Sequence, residues 1–502
     1  MQKNRMHRAK LNMVTTLLRQ LMATVCGIVI PRVMIGAFGS VAYGATTSIA
    51  QFLSYISLLE AGVGRVARGA LYKPLAEGNT VQISSVYGAV KRFFRTVGAI
   101  FVVYTVVLAV FYYDIADIQI FSRQYTFGIV IAISLSTMAT YFGGITNMTL
   151  MHADQRQYLT NAIIAITNLL NTVCIVCLIW LDADILTVKL VSSIIFVARP
   201  ILYAAYVKKN YTLIQTEKSN NLLNQKWTGI GQHIAYFLHT NTDVVMLTLL
   251  SDLKMVAVYS VYHLVVNSIW NIASAFSGGM EAAFGSMLAA KEHHAFSDAY
   301  RYYKCILTLI SVFLFGCTGV LIVPFVKLYM SGVTDANYIQ PLFALVLVLA
   351  EAMNALSLPC STIPTSANLL KQTKWGAYGE AIVNIVLSLI LIHWNPLVGV
   401  AIGTFCAAFF KSVFYINYVA RKILDSDPVS MLMQFFASIG LIALVSVFGM
   451  CATKWLSLDT YFAWFIFAVC TAVVMLLIAV KFCHMVFPNE LAAFVNKKMK
   501  RA

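Results

Sequence analysis

Apolar segments of about 20 residues recur along the chain, and that is the length a helix needs to cross a bilayer. They fall at 13–36 and 41–63, then at 96–113, 126–149, 159–180 and 185–206. A polar stretch, KKNYTLIQTEKSNNLLNQKW, interrupts the series, which resumes at 230–250, 255–279, 304–326, 338–360, 377–393 and 398–419 and closes with 432–453 and 460–486. The pattern predicts an all-α polytopic membrane protein of about fourteen transmembrane helices. The stretch from Pro31 to Asn79 shows the repeating unit: two membrane-length segments, a small-residue turn FGS between them, and a cationic exit through Arg65, Arg68 and Lys73.

Charge placement sets a topology. With the N-terminus in the cytoplasm, one side collects Lys3, Arg5, Arg8, Lys10, Lys91, Arg92, Arg95, Arg156, Lys208, Lys209, Arg301, Lys371, Lys374, Arg421, Lys422 and the basic tail. The other side has Arg123, Lys254, Lys327 and Lys454 near its turns. Positive residues accumulate on the cytoplasmic side, so both termini are expected inside, and dropping one span would invert every later loop. The net charge of +16 therefore marks membrane orientation and not nucleic acid. Composition agrees: 60% hydrophobic, only 11% charged, mean hydropathy +0.78. The first segment carries Arg19 and lacks an A-x-A cleavage site, which favours an uncleaved first span over a signal peptide. Most of the ten cysteines lie in apolar runs without framework spacing, as small buried hydrophobes do. No metal site or cofactor is expected.

The segment 36–56 can be laid on 248–269 at an offset of about 216 residues: Val41-Ala42-Tyr43-Gly44 matches Val256 to Ser260, each after a turn and before an apolar helix. The expectation is an N-terminal six-helix lobe (1–207), a cytoplasmic linker (208–228), a second six-helix lobe (229–420), and two extra helices with a basic tail (421–502). Parallel repeats of this kind are related by a pseudo-two-fold axis along the membrane normal, with a site between the halves.

Ionisable residues inside spans are costly and mark cavities or pathways. The chain places Arg19 and Arg32 on the first helix, Glu60 at the end of the second, His233, His239 and Asp243 on the seventh, His263 on the eighth, Glu351 on the tenth, Glu380 on the eleventh and Lys411 on the twelfth. Each has a plainer reading: Arg19 and Arg32 can snorkel to headgroups, Glu60 and Glu380 can neutralise loop cations, and the histidines can be packing residues. No nucleotide-binding loop, nucleophile elbow or soluble acidic pair is present, so neither an ATP-driven pump nor an enzyme is expected, and no residue is assigned as catalytic.

The SVAYG turn, the following LLEAGVGRVARGALYKPLAEGN (58–79) and the second-half EAAFGSMLAAKE (281–292) resemble the polysaccharide-transport branch of the MATE-like (MOP) superfamily, the Wzx-type flippases. The resemblance implies an undecaprenyl-diphosphate-linked oligosaccharide as cargo, moved to the periplasmic leaflet by alternating access in O-antigen, capsule or exopolysaccharide biosynthesis. Membrane lipids and other polysaccharide-assembly proteins would be partners. Within that reading, Arg19, Arg32 and Lys411 are the candidate cations for the diphosphate. Asp243 and Glu351 are the candidate couplers of a proton or sodium ion. The rivals are a MATE-type drug antiporter, which needs an acidic cavity; a lipid II flippase of peptidoglycan synthesis; and a polymerase, whose large periplasmic loop is missing.

Overall fold

A computed structural model describes residues 2–60, 62–214, 230–367, 369–456, 458–488 and 490. Most of the expected linker and the basic tail lie outside the described residues, as do the side chains of Arg65, His233, His239 and Lys371. The chain forms two compact units. The first comprises Met1–Ile234 and Asp252–Ala257, the second Ala235–Ser251 and Val258–Ala502.

The first unit contains α1 (Gln2–Ser54), α2 (Val63–Glu77), α3 (Thr80–Ile115), α4 (Arg123–Ala139), α5 (Ile145–Ala153), α6 (Gln157–Trp180) and α7 (Ile185–Asn210). Next come α8 (Ile230–Leu250) and α9 (Leu253–Ala275), whose first residues belong to the first unit and the rest to the second. The second unit continues with α10 (Ser277–Ala289), α11 (His293–Tyr329), α12 (Pro341–Ser366), α13 (Leu370–Leu391), α14 (Pro396–Lys422), α15 (Pro428–Thr453) and α16 (Tyr461–Val486).

The described residues are all-helical apart from turns, and twelve helices are long and apolar enough to cross a membrane. The first of these, Leu11–Glu60, is two spans in one. It is broken at Gly39, whose φ of 81° and ψ of 169° lie in a region that essentially only glycine occupies. The segment Ile230–Leu250 supplies a further apolar helix, of which Asn241–Leu250 is long enough to register only as a short one. The fourteen segments of the hydrophobic pattern are thereby accounted for, and the chain is a multi-pass membrane protein.

Two helices extend well beyond their apolar runs. α3 starts at Thr80 and not near residue 96, capped by Asn79, whose side chain accepts from the Gln82 N–H at 3.0 Å. Ile83, Val86, Val90, Phe94 and Val97 fall three or four apart and are buried, while Lys91, Arg92 and Arg95 stay exposed. That amphipathic stripe carries the helix out of the apolar zone. α11 does the same from His293, burying Phe296, Tyr300, Tyr303 and Leu307. The stretches LLEAGVGRVARGALYKPLAEGN and EAAFGSMLAAKE each hold a short helix, α2 and α10.

In the first unit α1 packs along α6 and α4 along α7, over a core that includes Met34, Ile49, Phe94, Phe101 and Tyr112. The beginning of α9 joins this unit, and a Cβ at Gly44 would run into the Leu253 carbonyl. α4 and α5 are joined by a π-helical turn at Thr140–Gly144, in which the Ile145 N–H reaches the Thr140 carbonyl. In the second unit α14 lies against α12 and α13, and the last two helices, α15 and α16, pack on α11. Small residues allow the close approach: Gly319 of α11 sits against Ser446 of α15, and Gly316 against Met475 of α16.

Candidate functional site

The second unit encloses a cavity of about 290 Å³. Four helices supply its polar lining: Asp243 from α8; Tyr259 and His263 from α9; Glu351 and Asn354 from α12; Thr404 and Lys411 from α14. Residues spaced by four on α9 (Tyr259, His263) and by seven on α14 (Thr404, Lys411) fall on one helical stripe each, which is why separate sequence positions converge here.

Asp243 is 4% exposed, and burial of a carboxylate must be offset by donors. The Tyr259 hydroxyl donates to Asp243 Oδ2 at 2.9 Å and the Thr404 hydroxyl reaches the same oxygen at 3.0 Å. Thr404 in turn accepts from Asn384 Nδ2 of α13 at 3.0 Å. Asp243 Oδ1, Asn384 Oδ1 and Asn354 Oδ1 are buried and accept no hydrogen bond. His263 stacks on Tyr259, with ring centroids 5.3 Å apart.

Lys411 Nζ pairs with Glu380 Oε1 at 2.9 Å. Lys411, the candidate groove cation of α14, is thus paired with Glu380 on the neighbouring α13. Glu351 receives a hydrogen bond from Asn354 Nδ2 at 3.3 Å and lies within electrostatic reach of Lys411, Asp243 and Glu380. Glu351 and Glu380 thus share the Lys411 ammonium while Asp243 lines the same cavity, and an ionised, buried excess of carboxyl groups calls for a proton or a bound cation. The ligand atoms on offer are all oxygens, which suits a hard cation and not a soft transition metal. Among the described residues no cluster of three His, Cys, Asp or Glu side chains has metal-binding geometry.

The first unit carries the opposite charge. Arg19 and Arg32 both lie on α1, half-buried, and the Arg19 Nε is buried without a hydrogen-bond partner. Arg19 and Arg68 of α2 lie within electrostatic reach of His152 of α5, whose Nε2 contacts the Thr160 hydroxyl at 2.8 Å. The structure thus places Arg19 and Arg68, the latter assigned to topology by the loop pattern, within electrostatic reach of one histidine, and brings Asp243, Glu351 and Lys411 together in one cavity of the other unit. Glu60, at the end of its span, accepts from the Tyr141 hydroxyl in the π turn at 2.5 Å.

The cations inside α7, Lys189 and Arg199, escape the sequence survey. Arg199, in the middle of α7, donates from Nε to Thr167 at 2.7 Å and from a terminal nitrogen to Asn168 at 2.6 Å, and its guanidinium sits 4.1 Å from the centre of the Phe196 ring. The signal was present: FVARPIL places an arginine inside a membrane-length segment, the same rule that singles out Arg19. At the α5–α6 connection, Asp154 pairs with Arg156 at 2.6 Å and with Arg8 at 3.4 Å and accepts from the Tyr211 hydroxyl at 2.7 Å. Burial, and then the bond to Asp154, hold the Tyr211 phenol above its ordinary pKa, so it remains a donor.

No family model matches the sequence, and no curated protein matches it. Solved structures do match the fold. The chain is similar to the lipid II flippase MurJ in an inward closed conformation, at 11% identity with a TM-score of 0.70, covering 95% of this chain and 99% of that one. It is also similar to the MATE multidrug transporter DinF-BH (15% identity, TM-score 0.59, 82% of this chain and 95% of that one). An inward-facing multidrug resistance MATE family transporter of the MOP superfamily matches at 14% identity and a TM-score of 0.58, over 81% of this chain and 98% of that one. The fold is that shared by the MurJ flippase and the MATE transporters.

Proposed function

We propose that the chain is a flippase for polyprenyl-diphosphate-linked oligosaccharides, working by alternating access in the cytoplasmic membrane with both termini inside. The observation that carries this reading is the division of embedded charge on a flippase-like fold: arginines in one unit, a carboxyl-rich cavity in the other. Arg19 and Arg32 supply positive charge suited to a diphosphate, and Arg68, like Arg19, acts electrostatically on His152. Asp243 and Glu351, with the unpaired oxygens of Asn384 and Asn354, supply the coupling site for a proton or sodium ion. Lys411 acts in this scheme as the counter-charge of Glu380 and tunes the coupling site.

Complementation tests the reading. In a host lacking its own O-unit flippase, the wild-type chain restores surface glycan, and the R19A/R32A double variant, at equal membrane abundance, does not. Full restoration by the double variant removes the cationic assignment.

A second reading is favoured by the cavity itself. Its surplus of carboxyl groups is the chemistry a cationic drug would recognise, and two of the structural neighbours are multidrug transporters. Efflux of a cationic dye that depends on Asp243, with no glycan phenotype, would select the drug-exporter reading instead.

A further inference from the structure

A groove of about 480 Å³ runs along α14 on the outside of the second unit, away from the carboxyl-rich cavity. Thr404 and Lys411 mark the cavity stripe of this helix; Phe410, Phe414 and Tyr418, four residues apart, mark another. These three rings form a ladder, with successive centroids 6.4 Å apart and interplanar angles of 23° and 8°. The ladder is seated by α13: a Cβ at Gly379 would strike the Phe410 ring, and one at Gly376 the Phe414 ring. The groove is almost wholly apolar along its length and ends at Arg421 and Lys422, both exposed. On the topology proposed above, that end lies at the cytoplasmic surface, where Lys374 also lies 5.3 Å from the centre of the exposed Trp375 ring.

We infer that this groove holds one anionic phospholipid of the cytoplasmic leaflet, with an acyl chain along the aromatic ladder and the phosphate on Arg421 and Lys422. Charge complementarity selects the occupant. A zwitterionic lipid would satisfy the apolar trough but gain little from two adjacent cations, whereas basic pockets on transmembrane helices at the cytoplasmic side favour anionic headgroups. An aromatic trough closed at one end by cations matches the two halves of a phospholipid in the order a leaflet presents them. The site depends on the cytoplasmic placement of the α14 terminus and not on the nature of the cargo.

The test uses the full chain purified in detergent and titrated with phosphatidylglycerol or phosphatidylcholine, with retained lipid counted by native mass spectrometry. The wild-type chain should retain one phosphatidylglycerol in preference to phosphatidylcholine. R421A/K422A should lower phosphatidylglycerol retention about thirtyfold, since each of the two cations near a membrane surface contributes about 1 kcal/mol and every 1.4 kcal/mol is tenfold. V413W, which fills the trough beside the ladder without touching the cations, should lower retention of both lipids. Equal retention of the two lipids by the wild-type chain, or an unchanged preference in R421A/K422A, overturns the site; so does undiminished retention in V413W. Because surface-glycan complementation is scored separately, failure here and failure of the flippase reading are distinguishable.

Discussion

The two units embed charge by opposite means. In the first, Arg199 is held by a threonine hydroxyl, an asparagine carbonyl oxygen and an aromatic face, all neutral. In the second, Lys411 is held by a buried carboxylate at 2.9 Å. A cation on neutral partners keeps its charge available to an anion; a cation locked to a carboxylate does not. Arg19 follows the first pattern, with a buried nitrogen that no protein group satisfies. Embedded cations that look alike in the sequence are thus held differently, Arg199 by neutral partners and Lys411 by a carboxylate, and the proposed function rests on that contrast.

The largest expected effect breaks the Lys411–Glu380 pair. Lys411→Met leaves a buried carboxylate uncompensated and should cost about 3–5 kcal/mol of stability, whereas K411M/E380L should recover most of it. Thermal unfolding of the single and double variants in detergent measures this, and equal losses in both would mean the pair is incidental. Arg199→Met should cost less, about 1.5–3 kcal/mol, because only charged-to-neutral hydrogen bonds are lost and no opposite charge is stranded. If it proves as costly as Lys411→Met, the contrast between the units collapses. Asp243→Asn keeps the size and an acceptor for Tyr259 and Thr404 but removes the charge. It should leave folding intact and slow transport at least about tenfold, a barrier change of about 1.4 kcal/mol, with the response to sodium or pH lost. Initial rates measured with and without an imposed ion gradient would show it. Tyr141→Phe, the smallest, removes one hydroxyl bonded to Glu60 and should cost about 1–1.5 kcal/mol, read as a small drop in melting temperature.

The helices were legible because about 20 apolar residues in a row leave few alternatives. The extension of α3 was not, since its stripe of Val86, Val90 and Phe94 is amphipathic and falls below the membrane pattern. The carboxylates Asp243 and Glu351 stood out as embedded charges, and the structure sets them in one cavity with Lys411. What the chain order hides is pairing. Glu380 meets Lys411 across 31 positions and Asp243 meets Thr404 across 161, and only the packing of α8, α13 and α14 creates those contacts. The π turn at Thr140–Gly144, which aims Tyr141 at Glu60, is likewise set by tertiary contacts, with Gly98 and Pro200 crowding the turn.

Reconstitution addresses the charge division most directly. In proteoliposomes holding a fluorescent polyprenyl-diphosphate saccharide, the fraction accessible to a membrane-impermeant quencher reports movement between leaflets. The wild-type chain should equilibrate the probe, R19A/R32A should slow it at least about tenfold, and a cationic dye should not be carried. Transport of the dye without movement of the lipid, or full lipid movement in R19A/R32A, would contradict the assignment of the first unit to the diphosphate.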